Sequence, residues 1–306
     1  MVERKTMRLL DVHHLGAKGI IFAGLAGTSD LTLIDCGPAS AFEHSVTAIR
    51  RLGLDPHRIS RVLLTHIHLD HAGAAWRWAA EYGCTILVHP KGLPHLLDPA
   101  RLLASARRVF GDQLDRLWGE LRPVPSHLGK VIQDGEWVGE GDTRFRAIAT
   151  PGHAQHHHAY WHEASRSIYA GDVAGVSIHG GPLVPPCPPP DIDLPAWHRS
   201  LARLRELAPD RILLTHGGVL RGTQPLDALE ARLDAWSQWV LQQLRAGKPE
   251  STMVRKFEEF VWSELRSGGL DDAGIAAYEQ GDPAAMSAYG LARYWHKHPP
   301  EGGVTG

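Results

Sequence analysis

The stretch Thr65-His66-Ile67-His68-Leu69-Asp70-His71-Ala72-Gly73 places three histidines and an aspartate within six positions, and the rest of the chain is read outward from it. Just upstream, Val62-Leu63-Leu64 follows Arg61 as a short apolar run, which predicts a buried strand ending at Thr65. The cluster then sits on the loop that leaves a strand. Imidazole and carboxylate groups together suit borderline cations such as zinc, manganese or iron. Alternation along an extended turn can aim His66 and His68 at one ion and leave Asp70 and His71 to face a second. A lone histidine would read as an ordinary surface or core residue, but this spacing has a low chance frequency even among 20 histidines.

A second feature is internal repetition. Arg61-Val62-Leu63-Leu64-Thr65-His66 and Arg211-Ile212-Leu213-Leu214-Thr215-His216 are nearly the same hexapeptide. Each follows an amphipathic helical pattern and a proline turn, at Pro56 in one case and Pro209 in the other. The repetition suggests two related helix-strand halves whose strand ends converge on one site.

The HxHxDH loop resembles the signature of the metallo-β-lactamase superfamily. In that family the first two histidines hold one metal, and the aspartate and last histidine hold another. The resemblance implies three further ligands downstream. Thr150-Pro151-Gly152-His153 is similar to the family's TPGH, whose histidine completes the first site, and Gly171-Asp172 is similar to its GD, whose carboxylate bridges both metals. His216, after the second hexapeptide strand, completes the second site. Pro-Gly and Gly-Asp are common turns, so each fragment alone is weak. Their order behind HxHxDH gives them weight. Leu33-Ile34-Asp35-Cys36-Gly37-Pro38 likewise resembles the family's LIDTGP segment, whose aspartate lies behind the metal ligands; on its own Asp35 also reads as a loop cap. The implied fold is α/β, a four-layer αββα sandwich with a helical C-terminal extension. Residues 1–222 would form the sandwich, with a helical insertion at about 98–121, and residues 223–306 the extension.

Periodicity fills in the remaining elements. Residues 19–26 and 31–35 read as a strand pair, and residues 41–52 as a helix over the sheet. Residues 72–82 read as helix, 85–88 as strand, and 98–121 as one or two amphipathic helices that either pack on the core or wall a pocket. Residues 143–149, 167–170 and 211–214 read as strands, and 197–207 as a helix. The proline-rich run 182–195 excludes regular helix and central strand, because proline lacks the amide and fixes φ. Beyond Gly222 three helices are expected, near 226–244, 254–265 and 284–295, with 301–306 frayed. Trp236, Trp239, Trp262 and Trp295 in that tail could serve as core, pocket wall or homodimer contact.

Composition bounds the function. With 306 residues, 43% hydrophobic and 22% charged, the chain can bury a large core. A formal charge of −2 supplies no electrostatic reason to expect nucleic acid or an anionic membrane as partner. Cys36, Cys84 and Cys187 form an odd set without CxxC, so a reducing cytoplasm is expected rather than a disulfide framework. The N-terminal residues 1–16 lack the apolar core of a signal peptide.

The resemblance implies a hydrolase with two divalent metal ions, zinc first, with manganese or iron as alternatives, acting on a small-molecule substrate. A metal-bridging hydroxide would attack an ester, thioester or lactone, with Asp70 orienting the water and returning a proton to the leaving group. No G-x-S-x-G nucleophile motif competes with this reading. Asp172 argues against true β-lactamases, which do not usually carry the bridging aspartate. Glyoxalase II-like and lactonase-like branches each lack a feature here, namely the basic glutathione-binding residues and a tyrosine soon after Asp172. Two other readings stay open: a phosphodiesterase, and a mononuclear iron enzyme like the persulfide dioxygenases. His156, His158, His13, His14 and His89 are read as ordinary strand or loop residues, and His157 as a residue behind the metals.

Overall fold

The computed structural model describes residues 7–300, so the expected frayed end at 301–306 lies outside the described residues. The first sheet contains β1 (Arg8–Asp11), β2 (Phe22–Ala26), β3 (Leu31–Ile34), β4 (Ile59–Leu63), β5 (Thr85–Val88) and β6 (Gly129–Val131), in that spatial order. The second contains β7 (Trp137–Val138), β8 (Phe145–Ala149), β9 (His158–His162), β10 (Ser167–Tyr169), β11 (Arg211–Leu214) and β12 (Gly218–Arg221), also in chain order across the sheet.

Alternation along the strands explains the layering, since successive side chains point to opposite faces. Ile34 and Leu63 of the first sheet meet Phe145, Tyr160, Tyr169 and Leu213 of the second in one buried cluster. Their neighbours Leu33 and Val62 face outward and pack with Phe42, Val46 and Ile49 of the helix Phe42–Arg51. Ile212 and Leu214 face outward with Trp197, Leu201 and Leu204 of the helix Leu194–Leu207. This is the αββα sandwich with a helical C-terminal extension that the motifs implied.

The repeat has a topological counterpart. β1, β2 and β3 are antiparallel, and β3 then crosses through the helix Phe42–Arg51 to pair parallel with β4. In the same way β8, β9 and β10 are antiparallel, and β10 crosses through the helix Leu194–Leu207 to pair parallel with β11. The halves interlock reciprocally: His158 N donates to Thr65 O at 2.7 Å, and Phe22 N donates to Thr215 O at 2.7 Å. Each hexapeptide strand therefore ends by bonding the second strand of the other half.

Several elements escaped the sequence reading. β1, β6, β7, β9 and β12 are short or histidine-rich and carry weak alternation. The insertion resolves into Ala100–Phe110 and Leu114–Trp118. The tail holds four helices, Pro225–Arg245, Glu250–Ser267, Asp272–Gly281 and Ala284–Lys297, the third of which was not expected. Asp271 caps it by accepting from Gly274 N at 2.9 Å. The tail tryptophans pack within the tail. Trp236 Nε1 donates to Glu264, Trp262 Nε1 to Glu279 and Trp295 Nε1 to Ser237 O, while Trp239 stacks on Phe260. No helix among the described residues is long and apolar enough to cross a membrane.

The last tail helix docks closely on the proline-rich loop: a Cβ added at Gly290 would lie 1.8 Å from Cys187 O, and Cys187 N donates to Ser287 Oγ at 2.9 Å. Gly290→Ala should force these segments apart and cost about 1–3 kcal/mol. Thermal denaturation is expected to show a lowered midpoint; an unchanged midpoint would mean that the tail is not rigidly docked.

Candidate metal centre

The site lies where the strands leave the sheets. The chain turns after β4 through residues 64–68 into the short helix Leu69–Ala72, which places Asp70 and His71 beside His66 and His68. His153 follows β8, Asp172 follows β10 and His216 follows β11. All seven expected residues converge in three groups that could hold a metal ion: His66, His68 and His153; Asp70, His71 and His216; and His66, His71 and Asp172.

Hydrogen bonding at the far side of each ring fixes what faces inward. His66 Nδ1 donates to Thr65 Oγ1 at 3.0 Å, His71 Nδ1 to Asp35 Oδ2 at 2.7 Å, His153 Nδ1 to Pro186 O at 2.8 Å and His216 Nδ1 to Ile20 O at 3.1 Å. With the proton assigned to Nδ1 by these acceptors, each ring turns its Nε2 towards the centre. His68 instead turns Nδ1 inward, 2.8 Å from His66 Nε2 and 3.1 Å from His153 Nε2. Three ring nitrogens thus meet, and the lone pairs on His66 Nε2 and His153 Nε2 suit a cation. In the second group, His216 Nε2 lies 3.0 Å and His71 Nε2 3.4 Å from Asp70 Oδ2. Asp172 spans the two groups, with Oδ1 at 3.3 Å from His71 Nε2 and Oδ2 at 3.5 Å from His153 Nε2. His71 Nε2 and Asp172 Oδ1 are buried without a hydrogen-bond partner, as atoms reserved for a ligand would be.

Electrostatics favour neutral rings in the first group, whereas in the second the carboxylates of Asp172 and Asp70 outweigh burial and push His71 and His216 up. Burial, then the surrounding imidazoles, hold His66 and His68 well below the usual histidine range, so both are neutral ligand bases. Burial opposes ionisation of Asp172, but His71, His216 and His153 outweigh it and keep the carboxyl ionised.

Asp35 organises the centre from behind. It is fully buried, with a left-handed φ of 54°, and accepts from Thr65 N at 2.8 Å, Thr65 Oγ1 at 2.9 Å, Thr215 Oγ1 at 3.1 Å and His71 Nδ1. Gly171 allows the close approach of the Asp172 loop: its φ is 52°, and a Cβ there would lie 2.8 Å from His157 Nε2 and 2.9 Å from Thr65 Oγ1. His157 sits behind His66 and bonds Thr150 Oγ1 through Nδ1 at 2.8 Å.

Above the ligands opens a cleft of about 430 Å³, walled by the insertion, the proline-rich loop and residues 279–286 of the tail. His14, read from sequence as ordinary, lines it: the ring is buried and stacks on Trp118 at 5.2 Å, while its neighbours His13 and Leu15 both take positive φ. No spacing in the sequence links residue 14 to residue 118; only the fold joins them. Glu279, Asp282 and Met286 also line the cleft, whereas the four tail tryptophans do not.

With this geometry in view, the comparisons with known proteins are decisive for the family. A family model described as the metallo-β-lactamase superfamily matches residues 19–216, and the chain belongs to that superfamily. It is 30% identical over 166 residues to the metallo-β-lactamase fold-containing protein ST1585 of Sulfurisphaera tokodaii, covering 53% of this chain and 62% of that one. The sequence match thus spans under two thirds of that relative. The solved structure of ST1585 superposes with a TM-score of 0.67 at 21% identity, covering 94% of this chain and 98% of that one. The probable metallo-hydrolase YqjP of Bacillus subtilis is 27% identical over 248 residues, 71% of this chain and 73% of that one. A hydroxyacylglutathione hydrolase of Rhodospirillum rubrum is 27% identical over 170 residues, 55% of this chain and 53% of that one.

Two tests follow from the site. Asp35→Ala leaves His71, Thr65 and Thr215 donors buried without their acceptor, and should cost about 3–5 kcal/mol; chemical denaturation of chelator-treated protein measures this, and a loss below about 1 kcal/mol would contradict it. His156 and His158 are held neutral, both lowered to about 3, chiefly by burial. Because the folded value lies below the ordinary histidine value of 6.5, their contribution is complete above pH 6.5 and is lost as pH falls towards 3. Both ring nitrogens of His158 are buried and unpartnered, so His158→Phe should make the acid loss of stability shallower in denaturation at pH 7.5 and pH 5.

Proposed function

We propose that the protein is a binuclear metal-dependent hydrolase of esters, thioesters or lactones. The observation that carries this reading is the completeness of both ligand groups, with Asp172 directing one oxygen to each. His66, His68 and His153 would hold one ion, Asp70, His71 and His216 the other, with Asp172 between them; zinc suits the donor set, and manganese or iron are the alternatives. When bound there, two such cations would supply an activated water at neutral pH and an electrophile for the acyl oxygen.

The protein's own groups position the rest. Asp70 is the second residue of the short helix and its side chain is 17% exposed to the cleft, so it can orient a water and carry its proton to the leaving group. Water adds to the acyl carbon, the carbon–oxygen or carbon–sulfur bond breaks, and the departing oxygen or sulfur takes up the proton. The mononuclear iron reading is less favoured because the second ligand group is intact. The name of the Rhodospirillum rubrum relative, a hydroxyacylglutathione hydrolase, supports a thioester among the candidate substrates.

Replacing Asp172 by Ala should reduce bound metal from two ions to one or fewer per chain and lower turnover at least a hundredfold. Elemental analysis of protein purified without added metal, together with an ester and thioester panel, checks both. One tightly bound iron in the unsubstituted protein, or an acyl-enzyme seen by intact mass after quenching, would sink the reading.

A further inference from the structure

We propose that the cleft selects an uncharged acyl compound with an extended apolar acyl group, seated between the insertion helices and the tail with its reacting carbonyl over the ligand cluster. The inference rests on the hydrolase reading and adds the class of substrate. Its first support is the wall. Leu102, Val109, Phe110 and Trp118 from the insertion face the same space as Met286 from the tail and Leu15 from the N-terminal segment. Leu15 and Val109 are 44% and 46% exposed, so the cleft leaves large apolar side chains in water. Apolar surface gathered in a concavity beside polar reactive groups is the usual form of a small-molecule site.

The second support is charge. No lysine or arginine lines the cleft among the described residues, while Glu279 and Asp282 do. A substrate bearing a carboxylate, phosphate or glutathione-like moiety along this wall would find no cationic partner and the Glu279 carboxylate instead, while burial pushes the Asp282 carboxyl up to about 8 so that it adds little charge of its own. Anionic substrates are therefore disfavoured at the walls, whatever the metals do at the floor.

The third support is that the wall is held in place. Ser40 Oγ donates to Leu117 O at 2.7 Å, Trp76 Nε1 donates to Glu120 O at 2.9 Å, and Gln280 Nε2 donates to His14 O at 3.3 Å. Trp118 is fixed between the His14 ring and an edge contact with Phe110 at 5.3 Å. A preformed apolar seat gains affinity with chain length without an ordering cost.

The test uses the metal-loaded protein and a series of thioesters of one neutral thiol, from acetyl to octanoyl. kcat/KM should rise about fourfold per methylene until the cleft is filled. Trp118→Ala should cut the octanoyl-to-acetyl ratio at least tenfold, and Phe110→Ala provides the same readout should the first variant unfold the insertion. Calorimetry with 2-decanone, a neutral isostere that cannot be hydrolysed, on metal-free protein should detect binding that either variant weakens. A flat chain-length series, or preference for glutaryl over the alkyl acyl group of equal length, would overturn the proposal. Failure of every acyl compound to turn over while 2-decanone still binds would overturn the hydrolase reading and leave the apolar seat standing.

Discussion

The carboxylate of Asp35 is the constraint on which the site depends. A buried anion is tolerable only when its lone pairs are satisfied, and here the donors come from both halves of the molecule: Thr65 from the first, Thr215 from the second, and His71 from the ligand loop itself. Satisfying one group thus fixes the distance between the two strand exits and the orientation of a ring that faces the centre. The threonines of the two hexapeptides are explained by this contact. Thr65 carries a further duty, since a hydroxyl that donates to Asp35 is left to accept from His66 Nδ1 at 3.0 Å.

Much of this arrangement was legible in the chain because it is local. The HxHxDH loop, the two apolar runs that end in Thr-His, and the small turns before His153 and Asp172 each span only a few residues, and strand alternation then dictates which side chains point between the sheets. Thr65 and Thr215 could be matched to one another from the hexapeptides alone, although their common partner Asp35 could be suggested only through resemblance. What stayed hidden was non-local. The approach of His14 to Trp118 joins the N-terminal segment to the insertion, and that of Gly281 to His216 depends on the tail folding back over the site, a path that no periodicity in residues 272–286 announces. β9 was missed for a related reason: His158 read as an ordinary strand or loop histidine, yet its ring is buried where the strand begins.

The cleft shows how a rigid floor and variable walls are divided in this fold. The rings of His66, His71, His153 and His216 are each braced by a hydrogen bond from behind, as required where small displacements alter reactivity. The walls come from segments inserted between or after those strands, held by side chain to backbone contacts such as Ser40 to Leu117. Changes in wall composition can then alter what fits without moving the floor.

The reciprocal bonds between the strand exits also bear on how the two halves stay together. The first half supplies His66, His68, Asp70 and His71, and the second supplies His153, Asp172 and His216, so neither half contains a complete ligand group. An ion seated in either group joins one sheet to the other, acting as a rivet placed at the mouth of the sandwich. Metal occupancy and sheet-to-sheet cohesion would then be thermodynamically linked: with an ion bound, whatever prises the sheets apart would release it, and withdrawing it would loosen the seam.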